Sequence, residues 1–212
     1  MLSTMTTDAD GRTETGRDPV ANRAAVTRER LLDAAVEAFA ESGFAATTTR
    51  DIAARAGMSP AAVYVHHATK EELLFEISRR GHQASLEILR AAGEGVADPM
   101  ERVRAMVAAF SRWHAMNSRV GRIVQYEFDA LTPEHRAEIA GYRRDMERLM
   151  RHALTDGVTA GVMEVADTKG TALAVLSLSI DLIRWYHPEG TVTPDDIAAL
   201  HADLAARMVA AR

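Results

Sequence analysis

Apolar residues recur at helical spacing along nearly the whole chain, and nowhere do they alternate over a useful length in the manner of a strand. From Val26 to Glu41, Leu31, Leu32, Ala35, Val36, Phe39 and Ala40 fall on one stripe, with Arg28, Glu29, Asp33 and Glu37 elsewhere. This predicts a first helix, capped by Thr27 and ended by Ser42-Gly43. Thr47, Thr48 and Thr49 offer capping hydroxyls to a short segment, Arg50 to Ala56, that stops at Gly57. Ser59-Pro60, an N-cap followed by proline at the first helical position, opens a second short segment through about His66. Two short helices joined by a tight glycine-containing turn and packed on a longer one describe a helix-turn-helix.

The rest reads as helices over Lys70 to Ala92, Asp98 to Met116, Arg119 to Asp129, Pro133 to Gly157, Thr168 to Tyr186 and Thr193 to Ala211. Gly93-Glu94-Gly95, Thr132-Pro133 and His187-Pro188-Glu189-Gly190 supply breaks. The expected fold is all-α, about nine helices: an N-terminal helix-turn-helix three-helix domain over 23–69, and a larger helical domain over 70–212. Residues 1–22 are rich in Thr, Asp, Gly and Arg and nearly free of large apolar side chains, and are expected to form a disordered tail.

Composition narrows the function. Alanine supplies 39 of the 212 residues and aromatics only 5%, which favours helices. With no cysteine there is no disulfide framework, thiolate nucleophile or cysteine-based zinc site. No apolar run reaches the roughly 18 residues of a membrane span, and the polar start does not resemble a signal peptide, so a cytoplasmic location and no membrane partner are expected. Helix-spaced His/Glu pairs of the HExxH type, glycine-rich phosphate loops and Gly-x-Ser-x-Gly elbows are absent from the sequence. No enzymatic activity, catalytic residue, metal or cofactor is expected.

The stretch from Thr27 to Leu74 carries Phe39, Gly43-Phe44, Thr47-Thr48, Asp51-Ile52-Ala53, Ala56-Gly57-Met58-Ser59, Val63-Tyr64, His66 and Lys70-Glu71-Glu72-Leu73, in an order and spacing that resembles the DNA-binding domain of the TetR family of bacterial regulators. His67 stands where family members usually carry an aromatic residue, most often Phe. Small Pro60, Ala61 and Ala62 suit close approach to base edges and contact with thymine methyls. Arg50 is the one long residue placed to reach a guanine edge, and the resemblance implies the same role. Tyr64, His66 and Lys70 lie where family members commonly contact the DNA backbone; Arg28 and Thr48 are further phosphate candidates. Residues 22–70 carry a net charge of +1 and residues 71–212 a net of −4, within a whole-chain charge of −5. Non-specific affinity for DNA should therefore be modest.

A single small reading head gives little affinity, so a homodimer on a palindromic double-stranded operator is expected. Leu173, Leu176, Ile180 and Ile183, with Leu200 and Leu204 of the final helix, are the candidate dimer interface, which the resemblance places in a four-helix seam. Phe75, Phe110, Trp113, Met116, Tyr126, Phe128, Tyr142 and Met146 are candidates to line an adaptable apolar effector pocket. The segment Asp181 to Gly190, with Thr193 to Ile197, resembles TetR-like repressors of actinobacteria that respond to acyl-CoA thioesters. That resemblance implies an apolar tunnel with cations for the phosphates, for which Arg122, Arg143, Arg144 and Arg184 are candidates. The expected function is a ligand-responsive DNA-binding repressor released by a small apolar or acyl-CoA-like effector; the alternative is a ligand-binding helical protein that has lost DNA recognition.

Overall fold

The computed structural model describes residues 19–66 and 69–211. Helix α1 spans Pro19–Ala46 and bends at Gly43, whose φ of 76° is a backbone conformation that side chains other than glycine's resist. It starts earlier than the apolar stripe predicts, so Pro19 to Asn22 are helical and not tail; the remainder of the expected tail lies outside the described residues. Helix α2 covers Thr49–Arg55 and α3 covers Pro60–His66, with Gly57 (φ 65°) turning the chain between them. Thr48 and Asp51 cap α2 reciprocally: the Thr48 hydroxyl accepts from the Asp51 N–H (3.2 Å), and the Asp51 carboxylate accepts from the Thr48 N–H (2.9 Å).

Beyond the reading head, α4 spans Lys70–Gly93, α5 Pro99–Met116, α6 Ser118–Tyr126, α7 Pro133–Thr159, α8 Thr168–Ile180, α9 Leu182–Trp185 and α10 Pro194–Val209, with a 3-10 turn at Phe128–Ala130. Aspartate, threonine and proline at the starts of α5, α7 and α10 form caps where the sequence placed them. The predicted Arg119 to Asp129 helix ends at Tyr126, and the predicted Thr168 to Tyr186 helix is interrupted at Asp181. Counting α9 as the resumption of α8 gives nine α-helices among the described residues. The one β-bridge there, Met163 with Ala210, sews the loop after α7 to the end of α10.

Two large apolar clusters, with a small third one of Ala115, Leu182, Tyr186 and Ile197, organise the described residues. The first joins Leu31, Phe39, Ile52 and Val63 of the head to Leu73 and Leu74 of α4, Ile123 of α6 and Ile139 of α7. The head is therefore not a bead on a string: it shares a core with the body. The second packs Leu89, Val107, Phe110, Met150, Leu154, Val175 and Val209 between α4, α5, α7, α8 and α10.

Candidate DNA-binding and effector sites

Pro60 and Ala61 at the leading edge of α3 are exposed and Ala62 is half-buried, while Val63 behind them is sealed into the core. The edge is open to a partner and held by its back face. The Ser59 hydroxyl accepts from the Ala62 N–H (3.3 Å), the cap expected there. Arg50, at the second position of α2, and Arg28, on α1, are exposed, and neither has an ion pair among the described residues. The side chains of Tyr64 and His66, and all of His67, lie outside the described residues.

Three other head cations are occupied internally. Arg30 donates to the Ala56 carbonyl at the end of α2 (2.7 Å), and Arg55 pairs with Glu41 and, at 3.9 Å, with Glu37. Lys70, expected at phosphate, instead donates to the carbonyls of Phe44 (2.5 Å) and Thr47 (2.7 Å) and sits 4.2 Å over the Phe44 ring. It ties off the α1 end, whose carbonyls lack helical partners past the Gly43 bend. Thr48, likewise, spends its hydroxyl on the α2 cap.

A cavity of about 270 Å³ lies among α4 to α9. Phe110, Trp113 and Met146 line it as the sequence suggests. Phe75 does not; it stacks on His135 at 3.7 Å. Phe128 lies under the Arg143 guanidinium (4.2 Å), and the Tyr142 hydroxyl accepts from the Gln83 amide (2.8 Å), both behind the cavity wall. Met116 is exposed, and Tyr126 is exposed beside neighbouring grooves. Four residues expected in the dimer seam, Leu173, Leu176, Ile180 and Ile183, line the cavity. Leu176 (5% exposed) and Ile183 (2%) are buried within their own chain, whereas Leu173 (50%), Leu200 (51%) and Leu204 (38%) are open. Helix α8 is apolar on almost every side, so periodicity could not distinguish the side that meets the cavity.

Sequence reasoning missed the histidines of the wall. His82 and His114 face the cavity, and burial pushes both imidazoles down from the ordinary 6.5 to about 4, so both are neutral near pH 7. Each ring bonds through Nδ1 to the carbonyl four residues earlier on its own helix, Ser78 and Phe110, at 2.8 Å. A carbonyl only accepts, so Nδ1 carries the proton and Nε2 a lone pair. Lone histidines on apolar helix faces gave no periodic signal.

A groove lined by Gln125, Tyr126, Ser177, Ile180, Asp181, Ile183 and Arg184, with Arg184 3.6 Å from the Asp181 carboxylate, shares residues with the cavity and with an outer cleft containing Arg119, Arg122 and Arg184. Gly121 permits this crossing, since a Cβ there would meet Ile183 Cγ2 at 2.7 Å. Cavity and head also meet through α6. Val120, Gly121 and Val124 are cavity wall, and just past the helix the Glu127 carboxylate accepts from the Phe44 N–H at the end of α1 (3.1 Å).

Known proteins match the same two parts. A family model described as bacterial regulatory proteins of the tetR family covers residues 31–77, and one described as the tetracyclin repressor-like C-terminal domain covers residues 96–209. The solved structure of a tetR-family regulatory protein from Rhodococcus RHA1 is 41% identical, with a TM-score of 0.84, covering 88% of this chain and 98% of that one. The HTH-type transcriptional repressor KstR2 of Mycobacterium tuberculosis is 28% identical over 185 residues, 85% of this chain and 91% of the relative. AibR, solved in complex with isovaleryl coenzyme A and operator DNA, is 25% identical with a TM-score of 0.75, covering 84% of this chain and 97% of that one. With its reading head matched by one model and slightly more than half its length by the other, this chain is a DNA-binding transcriptional regulator belonging to the TetR family.

Proposed function

We propose that the protein is a repressor whose homodimer grips a palindromic operator through two copies of α3 and is released when a coenzyme A thioester fills the cavity. Residues 23–69 read DNA, with Arg50 at a base edge, Pro60, Ala61 and Ala62 in the groove, and Arg28 at phosphate. Residues 70–212 hold the effector and the dimer seam, in which Leu200, Leu204 and Met208 of α10 and Leu173 of α8 supply the open apolar face. The acyl group occupies the cavity, and the coenzyme's phosphates lie in the outer cleft near Arg119, Arg122 and Arg184. AibR, with its isovaleryl coenzyme A, supports that class of ligand.

One observation carries the reading: α6 is both wall of the cavity and, through Glu127, holder of the α1 end. A ligand that displaces α6 must alter the orientation of the head. It acts only to the extent that it prefers the displaced state. The test is an electrophoretic shift on the DNA upstream of the protein's own gene, with isovaleryl-CoA, longer acyl-CoAs or free coenzyme A added. A specific complex dissolved by a thioester and not by free coenzyme A is expected. A complex that no thioester dissolves overturns the effector reading.

A further inference from the structure

The cavity wall holds a cation that its own chain leaves without a counter-ion. Arg143, half-buried on α7, donates through Nε to His82 Nε2 (3.2 Å) and lies 4.2 Å from the Phe128 ring centre. Neither partner is negative: His82 is a neutral acceptor, and the ring supplies only its quadrupole. The terminal guanidinium nitrogens have no protein acceptor among the described residues. Glu147, one turn along α7 and also in the cavity wall, is turned to Arg151 at 3.2 Å. Burial disfavours the charged guanidinium, and no carboxylate among the described residues pairs with it. A plain hydrocarbon in this cavity would strip the remaining water from those nitrogens and return nothing.

We infer that the effector carries a carboxylate on its apolar body, received inside the cavity by the terminal nitrogens of Arg143, which His82 holds in place through Nε. The inference rests on the thioester reading for one source of such a ligand, the coenzyme A monothioester of a dicarboxylic acid; a free carboxylic acid is the other source. The cavity, at about 270 Å³, suits a body of short or medium length. A planar guanidinium receives a carboxylate through paired hydrogen bonds and discriminates against an alkyl end.

Calorimetric titration of the full chain tests this with two matched pairs: adipoyl-CoA against hexanoyl-CoA, and octanoate against 1-octanol, with free coenzyme A as baseline. The carboxylate-bearing member should bind about tenfold tighter or more in at least one pair. Arg143→Met should abolish that preference and Arg143→Lys retain much of it, with operator binding by each variant reporting an intact fold. If Arg143→Met fails to fold, the wild-type pairs decide alone. Binding of both thioesters with no preference for adipoyl-CoA, and none for octanoate, overturns the inference and leaves the thioester reading standing. Preference for octanoate with no thioester bound does the reverse. Absence of binding by all four of these ligands overturns both.

Discussion

Acidification should destabilise this protein before its carboxylates titrate. His82 and His114 are buried neutral at about 4 against an ordinary 6.5, so between those values the unfolded chain binds protons that the folded chain refuses. Stability must rise with pH in that window and fall as pH drops through it. At pH 5 each imidazole costs RT ln[(1 + 10^1.5)/(1 + 10^−1)], about 2 kcal/mol relative to pH 7.5, and about 3.4 kcal/mol when the titration is complete. Together they remove about 4 kcal/mol at pH 5, a large share of the 5–15 kcal/mol typical of a folded protein. His201, whose imidazole is also pushed down by burial, acts in the same direction. Urea unfolding at fixed protein concentration should show the midpoint falling by about 1–2 M between pH 7.5 and pH 5. His114→Leu should remove about half of that dependence, because among the described residues the His114 ring hydrogen-bonds only to the Phe110 carbonyl on its own helix. A midpoint that stays level or rises on acidification would mean that water or an acid reaches these rings, and the enclosed cavity wall would be refuted.

Three further outcomes are expected. Arg50→Ala should weaken operator binding by about 1–3 kcal/mol and relax preference at one base pair; an equal loss on every sequence, measured by fluorescence anisotropy, would place Arg50 at phosphate only. Leu200→Asp with Leu204→Asp should give monomers in sedimentation, since both side chains are open on α10; a persistent dimer would move the seam elsewhere. Glu127→Ala frees the half-buried Phe44 N–H and should cost about 1 kcal/mol, weakening ligand-free operator binding about fivefold. Unchanged affinity would show that α6 does not hold the head.

Local signals made most of the helical scaffold legible. Thr48 before Asp51, Ser59-Pro60, Thr132-Pro133 and Thr193-Pro194 mark helix starts because a side-chain oxygen and a proline satisfy end groups within a few residues of sequence. The order of motifs from Phe39 to Leu73 identified the reading head for the same reason: its turns and caps are short-range. The stripe on α1 likewise announced a buried face, though not the turns that precede Val26.

Long-range partners were decided elsewhere. Lys70 reads as a phosphate ligand until the Gly43 bend brings the carbonyls of Phe44 and Thr47 to its ammonium. Leu176 and Ile183 read as dimer contacts until α8 and α9 are seen to close the cavity, and Arg143 reads as a candidate phosphate cation until Phe128 and His82 are seen to hold it in the cavity wall. What the amino-acid order determined by itself was where helices begin and end and which one carries the reading edge, since those depend on neighbours three or four residues away. Tertiary packing alone decided which apolar side of α8 faces inward and which cation the cavity wall holds without a counter-charge among the described residues, because both depend on helices brought together from distant parts of the chain, His82 standing 61 positions from Arg143.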